Sequence, residues 1–149
     1  MTNIFPLIPG LQEQLDNISN TSTAIQKLGK TFKFDFNTNT FVLQDGKLVE
    51  LSTVEAVEQW ISLILRTYKD KYNVYKGTDF YCNIEDLAGG KKDNFSISEI
   101  DGEISEALLK HRYITDVSNF SVSYDRRTIN INFDVTLLDG TTLSENTSL

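Results

Sequence analysis

STVEAVEQWISLILRTY, residues 52–68, sets the fold class of this chain. Val54, Val57, Ile61, Ile64, Leu65 and Tyr68 recur at three- and four-residue spacing, which places them on one face of an α-helix. Ser52 is placed to cap the first turn, and Glu55, three residues on, to reach back to the cap's own N–H. Trp60 lies beside the stripe and widens it. A helix with so broad an apolar face draws its stability from what packs against that face, so the flanking segments should supply the packing surface.

Working back from Ser52, the period changes from helical to two. TFKFDF, from Thr31, alternates Phe32, Phe34 and Phe36 with Lys33 and Asp35, the pattern of a half-buried strand. Asn37-Thr38-Asn39 makes a turn, FVLQ a second strand, Asp45-Gly46 a two-residue hairpin and KLVEL a third strand. Residues 31–51 therefore predict a three-stranded meander that feeds into the helix. Its phenylalanines fit a sheet face packed on that helix better than a ligand pocket. Residues 1–30 carry Pro6, Pro9-Gly10 and only a short helical pattern at Leu11, Leu15 and Ile18, and read as an N-terminal arm.

Working forward, residues 69–95 are rich in turn formers, with Gly77, Gly89 and Gly90. Gly89-Gly90-Lys91-Lys92 lacks the glycine spacing and the Ser/Thr of a phosphate-binding loop. Tyr72, Tyr75, Phe80 and Tyr81 form an aromatic run, read as a lid over the core with some rings left for a partner. A second capping box, Ser96 with Glu99, opens a helix whose stripe is Ile97, Ile100, Ile104, Ala107, Leu108 and His111. Two alternating runs follow. Val117, Phe120, Val122 and Tyr124 face Ile129, Ile131, Phe133 and Val135 across a turn at Asp125-Arg126-Arg127. Asp139-Gly140 turns into a short TTL strand, and residues 144–149 read as a polar tail. The fold class is thus α+β: an N-terminal β-meander, two amphipathic helices joined by an aromatic loop, and a C-terminal antiparallel β-hairpin. It forms one domain over 31–143.

Composition narrows the function. The chain has 149 residues, 40% of them hydrophobic, enough for one core, and 21 acidic against 14 basic residues. The net charge of −7 and the absence of any basic block argue against nucleic acid as a partner. One cysteine, Cys82, and one histidine, His111, leave no zinc site and no disulfide framework. Cys82 reads as a packed small side chain and His111 as a helix-end residue. No catalytic, cofactor-binding or metal residues are assigned. No apolar run reaches the 18 residues of a membrane span, and MTNIFPLIPG lacks the basic start and apolar stretch of a signal peptide. The Asn-x-Ser matches at Asn17, Asn20, Asn94, Asn119 and Asn146 follow from composition.

GKLVELSTVEAVEQWISLILRTYKDKYNVY, followed by ISEIDGEISEALLKHRYITDVSNFSVSY, resembles the small baseplate proteins of contractile phage tails, the gp25-like wedge family and its XkdS-like relatives in defective prophages. A Gly-Lys strand, a Gln-Trp-Ile helix, a Tyr-x-x-Tyr loop, a Glu-Ala-Leu-Leu helix, a Val-x-Asn-Phe strand and a closing hairpin occur in the family's order over about residues 31–143. The chain departs from the family where an acid and an arginine usually follow the first helix, reading Tyr68-Lys69-Asp70-Lys71, and where Tyr81-Cys82 replaces Tyr-Gly. The resemblance implies a structural, non-enzymatic protein of the inner baseplate, in a virion or tail-like particle assembled in the host cytoplasm. It would clamp a helix of a larger wedge protein and offer strands to the sheath.

The partner-contact candidates are Tyr72, Tyr75 and Phe80 in the loop, with Ser121 and Ser123 on the outward side of a strand. Phe120–Tyr124 and Ile129–Val135 are the candidate docking edges. The high net charge predicts a monomer in isolation. Two rival readings share the fold. A cell-wall glycosidase would draw on carboxylate pairs such as Glu55 with Glu58, or Glu99 with Glu103 and Glu106. An adaptor would bind a cytoplasmic protein instead.

Overall fold

The computed structural model describes residues 27–84, 94–125 and 128–148, with the side chains of 94–96 excepted. The chain divides into two units, residues 1–30 and 31–149. Of the first, the described residues 27–30 form no regular element, and the rest of the N-terminal arm lies outside the described residues. Everything that follows concerns the second.

The meander is built from four two-residue strands: β1 (Phe34–Asp35), β2 (Thr40–Phe41), β3 (Leu43–Gln44) and β4 (Lys47–Leu48). β1 pairs with β2 and β3 with β4, both antiparallel. A bridge from Phe32 to Glu50 closes the meander on itself. Lys33 directs both backbone groups to one side, its N–H to the Val49 carbonyl at 2.8 Å and its carbonyl to the Val42 N–H at 2.9 Å. The Asp45-Gly46 turn has φ of 50° and 74° at its two central residues, the primed geometry that matches strand twist. The first strand stops at Asp35, because Phe36 already belongs to the turn that Asn39, at φ 54°, completes. Phe34 still meets Phe36 at 5.2 Å and Phe41 at 5.3 Å, edge to face.

Helix α1 (Thr53–Leu65) has the expected capping box: Glu55 N–H donates to Ser52 Oγ, and Ser52 N–H to the Glu55 carboxylate at 2.9 Å. It ends three residues before Tyr68, with Arg66 as C-cap. Val57, Ile61, Ile64 and Leu65 are buried as the spacing predicts, with Ala56 beside them; Val54, Trp60 and Tyr68 are half-buried. Gln59 fixes the meander to this helix. Its Oε1 accepts the Phe34 N–H at 2.7 Å, and its Nε2 donates to the Phe32 carbonyl at 3.0 Å. Both are part-buried, so Gln59→Ala should cost about 1–2 kcal/mol, read as a lower urea midpoint at unchanged m-value.

Helix α2 (Asn94–Leu109) starts two residues before Ser96. Ser96, the expected cap, therefore lies at the third position of this helix rather than before it. Ile100, Ile104, Ala107 and Leu108 are buried and Ile97 half-buried, as the stripe predicts. The three-stranded sheet follows: β5 (Ile114–Asp125), β6 (Thr128–Leu137) and β7 (Thr142–Ser148), antiparallel in the order β5-β6-β7. Residues 144–148, read from sequence as a polar tail, are strand: Ser144 pairs with Asp134 and Ser148 with Asn130. The hairpin thereby gains a third strand. Arg126 and Arg127, at the expected turn, lie outside the described residues. Gly140, at φ 84°, makes the second turn, where Asp139 Oδ1 accepts the Thr141 N–H at 2.9 Å.

Ile129, Ile131, Phe133, Val135 and Leu137 turn one face of β6 to the core, all buried. α2 packs on β5 and on α1. The opposite face carries Asn130, Asn132, Asp134 and Thr136. On β5 the register slips between Ser118 and Ser121, where Asn119 sits at φ 56° and the strand bulges. The bulge lets Phe120 stack on Phe133 at 5.5 Å.

Candidate functional site

Two separate surfaces hold the five residues singled out from sequence. The first is the loop leaving α1. Thr67 is buried, its Oγ1 donates to the Leu63 carbonyl at 2.8 Å, and its own carbonyl takes the Cys82 N–H at 2.8 Å. Asn83 bridges the loop to α2: its Oδ1 accepts the Lys69 N–H at 3.0 Å and its N–H donates to Glu103 Oε1 at 2.8 Å. With both ends held, residues 68–83 project as a fixed crest carrying a 3-10 turn at Asn73–Tyr75. Phe80 and Tyr75 do come together, at 4.8 Å, and Phe80 reaches Trp60 at 5.8 Å. Tyr72 and Tyr75 line a groove of about 380 Å³ with Phe34, Phe36, Leu63 and Val74. Val74, which the sequence did not single out, is 77% exposed, and Tyr72 46%.

Cations crown the same crest. Arg66 lies over Phe36 at 4.9 Å, Lys69 over Tyr81 at 5.4 Å, Lys71 over Tyr68 at 4.4 Å and Lys110 over Tyr81 at 4.6 Å. Lys110 also donates to the Asp79 carbonyl at 3.1 Å. At Tyr68–Lys71, where the sequence departs from the family's acid-and-arginine pattern, the stretch thus supplies stacked ammonium groups.

The second surface is the sheet. Ser121 and Ser123 are exposed on the outer face of β5, opposite Asn132 and Asn130. Neither lines the groove that Tyr72 and Tyr75 line. Of the two candidate edges, Phe120–Tyr124 lies on an edge strand, but Ile129–Val135 does not. It is the middle strand, paired on both sides, and has no edge to offer. The second edge belongs to β7. Asp134 ties the sheet together from outside, accepting from Asn119 Nδ2 at 2.8 Å and Ser144 Oγ at 2.7 Å; these bonds hold its carboxyl below the usual range. Asn146 donates to Asn132 alongside.

Several of the titratable groups have structural partners or are buried. Cys82 is fully buried, and burial, with Glu103 adding to it, pushes its thiol up to about 12, so the thiolate a nucleophile requires is not formed near neutrality. Burial lowers His111, which stacks on Trp60 at 4.5 Å and accepts the Tyr113 N–H at Nδ1. Glu55 is held by its cap, which lowers its pKa, and Glu103 by Asn83. Glu145, which sequence reasoning left in the tail, is a carboxyl displaced far upward. The register opposite Phe133 turns it to the core-facing side of β7, half-buried; burial, then the Glu58 charge, raise it to about 7. Only the strand register reveals it. Among the described residues no group of His, Cys, Asp and Glu could hold a metal, and no helix is long and apolar enough to cross a membrane.

The family of contractile injection system sheath initiators matches this chain over residues 30–140. The chain belongs to that family. A sheath initiator of this gp25-like kind is a structural component of the baseplate in a tail-associated particle. Among solved structures, a Geobacter sulfurreducens protein named as a tail lysozyme is similar at TM-score 0.58 and 20% identity, covering 69% of this chain and 95% of its own. At that identity the likeness speaks for the fold. No curated protein matches the chain.

Proposed function

We propose that this sheath initiator clamps a helical segment of a larger baseplate wedge protein and offers an edge of its C-terminal sheet on which sheath strands begin to pair. The observation that carries the second half is β7. Within its described length it is unbulged, contains no proline, and carries one charge, Glu145, which faces inward. An edge of that kind is a template for another chain's backbone. β5 is the poorer template, because its bulge breaks the spacing of its backbone groups. The isolated chain, at net −7, stays monomeric until its partners arrive, and assembly takes place in the host cytoplasm.

Antibody labelling of tail particles in the electron microscope tests the location: label at one end of the tail supports the reading, and protein found only in the soluble fraction overturns it. The edge is tested by charge. Asn146→Lys with Ser148→Lys, on the outward face of β7, should leave the thermal midpoint nearly unchanged while the fraction of sheathed tails falls severalfold. Ser121→Lys with Ser123→Lys on β5 should reduce it less. Equal loss from both pairs would remove the preference for β7. A glycosidase reading has one observation in its favour, the displaced Glu145 beside Glu58. Clearing of a cell-wall suspension by the purified protein, abolished by Glu145→Gln, would establish it.

A further inference from the structure

The wedge contact proposed above leaves open what kind of segment the chain accepts, and the crest beyond α1 bears on that. Its groove is floored by Phe34, Phe36 and Leu63 and walled by Tyr72, Val74 and Tyr75. Phe41, packed on Phe34, continues the apolar surface outward and is 55% exposed. A three-quarters exposed valine between two tyrosines, on a loop pinned at both ends, is apolar area held in place without cover. The charge around it runs against the rest of the chain. Residues 66–81 hold Arg66, Lys69, Lys71 and Lys76 against Asp70 and Asp79, whereas the whole molecule is at −7. Arg66 stands at the groove itself, stacked on Phe36, and meets no carboxylate among the described residues.

We infer that this groove takes an acidic-flanked apolar segment of another baseplate protein, whose bulky side chains enter between Tyr72, Val74 and Tyr75 while its carboxylates meet Arg66, Lys69 and Lys76. The inference rests on the baseplate reading and specifies the partner's chemistry. Aromatic walls supply contact area at low conformational cost, and stacked cations hold their charge in place for a carboxylate to approach. A second copy of the chain is the less favoured occupant, because two molecules at −7 repel on approach.

A photo-crosslinking amino acid at Val74, in tail particles assembled in cells that express the whole tail gene cluster, identifies the occupant by mass spectrometry of the linked peptide. The side chain is exposed, so the probe should leave the thermal midpoint unchanged. The expected product is a segment of a different baseplate protein with more Asp and Glu than Lys and Arg around the linked residue. Arg66→Glu should lower the crosslink yield about tenfold, and Arg66→Lys far less. Three results overturn the inference: no crosslink in particles that contain the protein, a crosslink to a second copy, or a linked segment that is neutral or basic. Absence of the protein from the particles would instead remove the baseplate reading, a result distinguishable from all three.

Discussion

Ile131→Asp is expected to leave the protein largely unfolded at room temperature, with its far-ultraviolet circular dichroism lost and no cooperative thermal transition. Ile131 is fully buried on the middle strand, opposite Val122 on β5 and Thr147 on β7. An aspartate there cannot reach water without detaching a strand, and burying the carboxyl unpaired costs at least several kcal/mol. Domains of this size hold only about 5–15 kcal/mol in total. Val122→Asp should be milder, because Val122 sits half-buried on the edge strand, where the new carboxylate can turn outward. Ser121→Asp and Ser123→Asp, exposed on the outer face, should change stability by no more than about 0.5 kcal/mol. Urea melts of the four variants should fall in that order. Equal loss from Ile131→Asp and Ser121→Asp would mean that the faces of the sheet are wrongly assigned.

The second large effect is one of pH. Glu145 titrates near 7 in the folded chain, against an ordinary value of 4.5. Between those limits the folded state keeps a proton that the unfolded state has released, so stability falls as pH rises from 4.5 to 7 and levels off above. The full shift would be worth about 3 kcal/mol; since the side chain is only half-buried, about 1–2 kcal/mol is the expected cost at pH 8 after solvent screening. Glu145→Gln should recover that amount at pH 8 and little at pH 4.5. Glu58→Gln should recover a smaller part, since the Glu58 charge is the lesser cause. The comparison has to be made against the parent chain at each pH. His111, lowered by burial, gives the opposite slope below 6.5: there the unfolded state takes up a proton first, and stability rises with pH. If Glu145→Gln shifts the curve by a constant amount at every pH, the register that places this carboxyl against the core is wrong.

The parts of the fold that could be read from sequence are those where one period repeats long enough to outvote its exceptions. The stripe from Val57 to Leu65 and the alternation from Ile129 to Val135 are of that kind, and the structure buries both. Turn chemistry was equally readable at Asp45-Gly46 and Asp139-Gly140, where positive φ selects residue type. Of TLSENTS only Thr142 and Leu143 were readable as strand. Its inward positions, Leu143, Glu145 and Thr147, mix an apolar residue with two polar ones, and only pairing with β6 reveals the alternation. The middle position of β6 was hidden for the same reason. Gln59 and Val74 were missed because their roles depend on which backbone or surface lies opposite. The sequence grouped Tyr75 and Phe80 in one aromatic run, and their ring contact is visible only in the structure.

Gln59 gives the molecule a direction. Its carboxamide presents to Phe32 and Phe34 the acceptor and donor that a peptide group of a neighbouring strand would present, so the helix fills a strand's place at the near end of the domain. The first strand is thereby satisfied on both sides, by Lys33 toward Val42 and Val49 and by Gln59 on the other. The pairing groups of that strand are filled, while among the described residues β5 and β7, the outer strands of the C-terminal sheet, each pair on one side only. On the reading proposed above, a row of strands grows from the C-terminal sheet and not past the strand whose far side Gln59 already occupies.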